Sequence, residues 1–119
     1  MIRRIANTLL SRIIGPHPEF KIGQIVKSRE HEVRGVVFKV DRRFSHKPAW
    51  LDAIPEERRP EKDQPFYWLY AENEIAYYET YVSEQSLLPD TSGLPVENPE
   101  IDAPFDGERY VFKRKVRLW

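Results

Sequence analysis

Two short apolar runs, Ile22-Gly23-Gln24-Ile25-Val26 and Gly35-Val36-Val37-Phe38-Lys39-Val40, flank a charged stretch from Ser28 to Arg34. Short runs rich in β-branched residues, separated by a polar turn, predict a β-hairpin. In the second run Val36, Phe38 and Val40 share one parity, and Val37, Lys39 and Asp41 the other. Strict alternation therefore puts one set against a core and leaves the other partly wet. Gly23 and Gly35 stand where a strand of a small barrel bends or another backbone passes close. A second hairpin is predicted where Phe66-Tyr67-Trp68-Leu69-Tyr70-Ala71 follows Pro65, turns at Glu72-Asn73-Glu74 and returns as Ile75 to Val82. In its later strand Tyr78, Thr80 and Val82 alternate with Tyr77, Glu79 and Tyr81, so aromatic bulk falls on both faces.

Outside the hairpins the period changes. Ile2, Ile5, Leu9 and Ile13 recur at helical spacing with Arg3, Arg4, Asn7 and Arg12 mostly off the stripe, and Gly15-Pro16 ends the pattern. This Arg-rich amphipathic helix is read as docking on its own barrel or a neighbour, in preference to lying on an anionic membrane or serving as a presequence. After the first hairpin, Ser45 is placed to cap a short helix from His46 or Lys47 to Ile54, with Pro48 in its first turn and Pro55 as its stop. Glu56 to Gln64 shows no periodicity and reads as an exposed loop. Ser83 to Pro89 reads as one helical or 3-10 turn, with Leu87 and Leu88 plugging a barrel end. Asp90 to Gly107 has the composition of a loop or tether, and Arg109 to Trp119 alternates again as an edge strand with a basic outward face.

At 119 residues the chain is one domain with one modest core. The absence of cysteine removes disulfides, thiolate metal sites and cysteine nucleophiles, and fits the cytoplasm. No apolar run approaches the ~20 residues of a membrane-spanning helix. The net charge of zero hides a segregation: Met1 to Leu51 carries eleven basic and four acidic residues, +7, whereas Asp52 to Glu108 carries three basic and fifteen acidic, −12. The last eleven residues add five basic ones and no acid. Basic segments of such a chain pair with acidic ones inside the fold or between subunits, or face a polyanion.

Catalytic chemistry has little footing. His17, His31 and His46 lack metal-ligand spacing, no serine, lysine or carboxylate pair sits in a recognisable nucleophile context, and there is no glycine-rich phosphate loop. The expectation is a binding protein with no metal and no cofactor, in which His31 and His46 sit on solvated turns and Glu84 caps or pairs near the barrel end.

The segment IGQIVKSREHEVRGVVFKVDRRFS, with PEERRPEKDQPFYWLYAENE and YVSEQSLLPDTSGLPV after it, closely resembles the HspQ family, also called YccV-like or hemimethylated DNA-binding proteins. The resemblance runs from Phe20 to about Val96, and Gly23, Gly35, Asp41, Pro65, Tyr67, Tyr81 and Val82 are its motif residues here. It implies a mainly β, SH3-like barrel over residues 20–96; the amphipathic helix and linker (1–19) and the acidic loop and basic strand (97–119), read from the residues themselves, flank it. It further implies a bacterial cytoplasmic heat-shock protein that forms homotrimers, binds hemimethylated DNA, takes part in control of the replication initiator DnaA, and serves the Lon protease as a specificity-enhancing factor. Two binding modes follow. In one, Lys27, Arg29, Arg34, Lys39, Arg42 and Arg43, with Lys113, Lys115 and Arg117 of the tail, contact the phosphates of double-stranded DNA. In the other, the chain is a protease adaptor acting through protein contacts without DNA.

Overall fold

Val26, Val37, Tyr67, Leu69, Ala71 and Leu87 come from four different strands and meet, with Phe20, in one buried cluster. The computed structural model describes residues 12–102. Its strands are β1 (Ile25–Ser28), β2 (Arg34–Asp41), β3 (Phe66–Glu72), β4 (Tyr77–Ser83) and β5 (Leu87–Pro89). They form one antiparallel sheet in the order β4-β3-β2-β1-β5. The fold is thus mainly β, as expected, but the sheet is not closed into a barrel: no ladder joins its outer strands β4 and β5.

Both hairpins form, each with a turn its sequence explains. The Ser28 Oγ accepts the amides of Glu30 and His31, and the Ser28 amide donates to the Val33 carbonyl, which closes the first. In the second, Asn73 Oδ1 accepts the amides of Ile75 and Ala76. That turn withdraws Ile75 and Ala76 from the predicted strand and leaves Ile75 81% exposed. Gly35 lies where a Cβ would come within 3.0 Å of the Leu69 Cβ and 3.1 Å of the Tyr70 carbonyl oxygen, so the close approach read from the sequence is real. Gly23 takes a left-handed φ of 91° while its amide donates to the Val37 carbonyl.

Strict alternation along β2 fails at one residue. Val37 pairs with Leu69 but Lys39 pairs with Trp68, so Phe38 is an extra residue, a β-bulge. Parity reverses there: Val40 joins Val37 on the main core, whereas Phe38 stays with Val36 on the opposite face. The expectation of Val36, Phe38 and Val40 on one side is corrected accordingly. Alternation in β4 holds, with Tyr78 and Val82 against the main core.

The opposite face is covered by a stretch expected to be a tether. Val96, Asn98 and Ile101 are almost fully buried, and Val96 and Ile101 pack on Val36 and Tyr70. The Asn98 amide nitrogen donates to the carbonyls of Ala71 and Tyr78, bridging β3 and β4. Residues 96–101 are therefore a strap, ending in a 3-10 turn, Pro99–Asp102. Farther along that face, the helix α1 (Pro48–Asp52) brings Trp50 against Phe66 and Tyr81. It is shorter than predicted, and its N-cap is Lys47 with no side-chain cap; Ser45 Oγ donates instead to the Arg43 carbonyl.

A 3-10 turn, Glu84–Ser86, links β4 to β5 as anticipated, but Leu87–Pro89 is a strand. The free edge of β1 takes it up, pairing Ser28 with Leu87 and Val26 with Pro89. Glu84 does pair near this end: its carboxylate accepts from the Tyr67 hydroxyl at 2.6 Å and the Glu19 amide at 2.8 Å. The predicted N-terminal helix up to residue 11 and the C-terminal strand lie outside the described residues.

A docked strap and a tether differ in energetics. Truncating a fully buried isoleucine removes transfer energy and leaves a cavity. Ile101→Ala is expected to lower the unfolding free energy by about 2–5 kcal/mol in denaturant titration; a change below about 0.5 kcal/mol would show the segment contributes no core.

Candidate nucleic-acid interface

Of the six candidate cations in the described residues, the structure separates three from three. Arg34, on β2, is turned entirely inward upon the chain. Its Nε donates to Asp90 Oδ2 at 2.8 Å, and its Nη1 to Glu72 Oε2 at 3.3 Å and the Pro95 carbonyl at 3.4 Å. Its Nη2 reaches Ser92 Oγ and the Leu94 carbonyl. A guanidinium has five N–H donors in a rigid fork, and here five acceptors face them. Arg34 thus fastens residues 90–95 to the edge of the sheet, and it has no donor over for phosphate.

Arg43 is similarly occupied, and Arg42 only in part. The Arg42 Nε donates to the Pro16 carbonyl at 3.1 Å, and its terminal nitrogens have no partner among the described residues. Arg43 donates from Nε to Asp63 at 2.8 Å and from its terminal nitrogens to the carbonyls of Arg12 and Ile13. Residues 12–14 are helical, so Arg43 caps carbonyls at a helix end while its ion pair holds the loop before β3.

Lys27, Arg29 and Lys39 are exposed and make no side-chain hydrogen bond or ion pair among the described residues. Lys27 pairs across the ladder with Arg34, and Lys39 with Trp68, so both project from the face that carries the strap. Arg29 stands on the β1–β2 turn, where its amide donates to the Ser86 carbonyl. Lys113, Lys115 and Arg117 lie outside the described residues.

The motif residues serve the fold. Pro65 is buried, and its carbonyl accepts the Glu84 amide at 2.9 Å. Tyr67 is fully buried, its hydroxyl between Glu84 and the Phe20 amide; burial, then the bond to Glu84, raises its ionisation well above the usual tyrosine value. Tyr81 lies on the other face, stacked on Phe66 with ring centroids 5.2 Å apart, and donates to Asp41 at 3.0 Å while accepting the Ser45 amide. Burial raises its ionisation too. Val82 pairs with Tyr67 across the ladder.

His31 is exposed on its turn, as expected. His46 is not on a solvated turn: it is half-buried, its ring 5.1 Å from both Trp68 and Tyr81 and stacked on Trp50 at 6.1 Å. Its Nδ1 accepts the Lys47 amide. Trp68 continues this aromatic row toward Phe38, which stacks on Tyr70 at 3.9 Å. Among the described residues no three histidines or carboxylates gather as a metal site.

The partners of Arg34 were not anticipated from the sequence, although Asp90-Thr91-Ser92 has a turn composition that hints at a carboxylate held in place. Asp90 Oδ1 accepts from both the amide and the hydroxyl of Ser92 while Oδ2 takes Arg34. The Arg34 bond foremost, with those from Ser92, holds the carboxyl down to about 2 against an ordinary 3.8, in spite of its burial. A carboxyl depressed on folding adds stability above its unfolded value, and that stability is lost as pH falls through the folded one. The Asp90 contribution is on the order of 2 kcal/mol at neutral pH. In chemical unfolding the wild type is expected to exceed Asp90→Asn by about that margin at pH 7, the gap closing between about pH 5 and pH 2; a gap constant over that range would contradict the pairing.

No helix among the described residues is long and apolar enough to cross a membrane. Neither a curated protein nor a solved structure gives a significant match to the chain. The family model described as hemimethylated DNA-binding protein YccV like matches residues 18–110, which include both hairpins, the strap, and Lys27, Arg29 and Lys39. With more than three quarters of its length matched, the chain belongs to the YccV-like family.

Proposed function

We propose that this chain binds double-stranded DNA, hemimethylated DNA in particular, and acts by holding it without chemical change. Membership of a family described as hemimethylated DNA-binding carries the reading. The free Lys27, Arg29 and Lys39 support it, since uncommitted cations on a neutral chain are what phosphate contact requires. Arg34 and Arg43 are engaged within the chain and Arg42 keeps only its terminal nitrogens over, so the footprint is narrower than the run of basic residues suggests; Lys113, Lys115 and Arg117 extend it. The five-strand order is compatible with an SH3-like barrel whose last gap is spanned by the Glu84–Ser86 turn. In the HspQ pattern the molecule works as a cytoplasmic homotrimer under heat stress and participates in control of DnaA.

A second reading, a specificity-enhancing adaptor for the Lon protease, draws on a different observation. Ile75 and Leu94 are 81% and 63% exposed, and Ile75 adjoins a shallow cleft with Glu32 and Glu74. An apolar tip with an acidic rim suits a protein partner better than a polyanion.

Gel shifts with unmethylated, hemimethylated and fully methylated duplexes of one sequence separate these readings. Burying one methyl group is worth about 0.8 kcal/mol, roughly fourfold in affinity. The hemimethylated duplex is expected to bind tightest, exceeding the unmethylated one by at least about that factor, with Lys27→Gln and Lys39→Gln weakening all three alike, because phosphate contacts carry no base information. Equal affinity for the three duplexes would remove methylation sensing; no binding to any, with retained stimulation of Lon, would favour the adaptor.

A further inference from the structure

Three loops distant in sequence meet at one end of the sheet: the β1–β2 turn, the 3-10 turn Glu56–Arg58, and the 3-10 turn Glu84–Ser86. Between them is a polar cleft of about 340 Å³. Its walls are fixed by two clasps. Arg29 donates its amide to the Ser86 carbonyl at 2.9 Å, which holds the first loop to the third. Gln64 and Gln85 bond reciprocally, the Gln85 amide to Gln64 Oε1 at 2.9 Å and the Gln64 Nε2 to Gln85 Oε1, which holds the second loop to the third. The cleft is therefore assembled before any ligand arrives.

Residues with donors left over line it. Arg29 and Arg58 both line the cleft, and neither guanidinium has a partner among the described residues. The Gln85 carbonyl oxygen is engaged by Gln64 and by the Glu61 amide, which leaves its NH2 group unpartnered. Two forks and an amide nitrogen supplied to one cleft by separate loops suit a tetrahedral anion, whose oxygens accept from several directions at once. Glu30 and Glu57 line the same cleft, so its field is weak and long-range attraction is small. Recognition there depends on short bonds to a group already brought close by other contacts.

We infer that this cleft seats one phosphodiester of the bound nucleic acid, held by Arg29, Arg58 and the Gln85 amide. The inference rests on the DNA reading for its ligand and adds Arg58 and Gln85 to the footprint. The β1–β2 turn then lies against the backbone, and the loop before β3 is the second jaw of the grip. Because Glu57 opposes the anion, its neutralisation strengthens binding.

The test uses the full-length, isotope-labelled chain with two probes: a 12-base-pair duplex, and dimethyl phosphate as a lone phosphodiester. On duplex addition the side-chain N–H signals of Gln85 and Arg58 are expected to shift and saturate together with binding. The double variant Arg29→Gln/Arg58→Gln is expected to lose about tenfold in affinity and to flatten the salt dependence by about one to two phosphates. Glu57→Gln is expected to bind about two- to threefold tighter, a gain that a misfolded variant cannot show. Duplex binding that leaves both signals unmoved, or a double variant with wild-type affinity, overturns the seat and leaves the DNA reading standing. If the wild type binds no duplex, the DNA reading falls and dimethyl phosphate decides the cleft. A saturable shift at Gln85 that the double variant lacks supports a phosphate seat for another ligand, and no shift overturns it.

Discussion

One guanidinium holds this molecule's second layer in place. An open five-strand sheet that buried only one face would leave Val36, Phe38 and Tyr70 against water. Residues 96–101 cover them, but that stretch forms no strand; it is bridged to the sheet by the Asn98 side chain, which reaches β3 and β4, and by the Glu97 amide, which donates to Glu72 Oε1 at 2.6 Å. Its position is set upstream, where Arg34 gathers Asp90, Ser92, Leu94, Pro95 and Glu72. The Asp90 carboxylate side chain is only 5% exposed, so it is costly to leave unpaired. A bond network of this kind exchanges much of its strength for desolvation, yet losing one partner strands the others. The strap, the outer apolar cluster and the removal of Arg34 from the binding surface are consequences of the same arrangement.

With both faces of the sheet partly covered, the proposed recognition uses what remains uncovered: Lys39 on β2, Lys27 beside Arg34, and the loops at the end where β1 turns into β2. The aromatic row from Tyr70 through Phe38, Trp68 and Tyr81 to Trp50 is largely interior packing around α1, so its rings chiefly fix the scaffold. A packed support with a few exposed cations and a polar cleft between bonded loops is suited to holding a partner in register. Two of the buried tyrosines, Tyr67 and Tyr81, contribute by anchoring opposite faces of β3 and β4 through one hydroxyl each to a carboxylate.

The four strands of the two hairpins were legible because period-two patterns and turn residues are local, whereas the short β5 was read as part of a turn. Ser28 and Asn73 place the hairpin turns by bonding to amides two and three positions on, and Gly35 follows from a packing distance. What escaped was non-local. An inserted residue leaves no mark in composition, so the bulge at Phe38 reversed the facing of Val40 unseen. The strap looked like a tether because its buried side chains, Val96, Asn98 and Ile101, are set among proline and acids, and its attachment needs partners 20 to 27 residues away. The cations were visible as charge but not as pairs: Arg34 meets its partners in the 90s across more than 50 residues, and only the folded chain shows which bases are taken.

The central claim is that Arg34 is a structural clasp and that binding belongs to cations outside it. The most direct measurement takes Arg34→Gln and determines, on one preparation, its unfolding free energy and its dissociation constant for duplex DNA at a temperature where it is folded. The account expects a loss of about 2–4 kcal/mol in stability, from stranding Asp90 and Glu72, with affinity within about twofold of wild type. Stability unchanged to within about 0.5 kcal/mol, together with an affinity reduced tenfold or more, would contradict it.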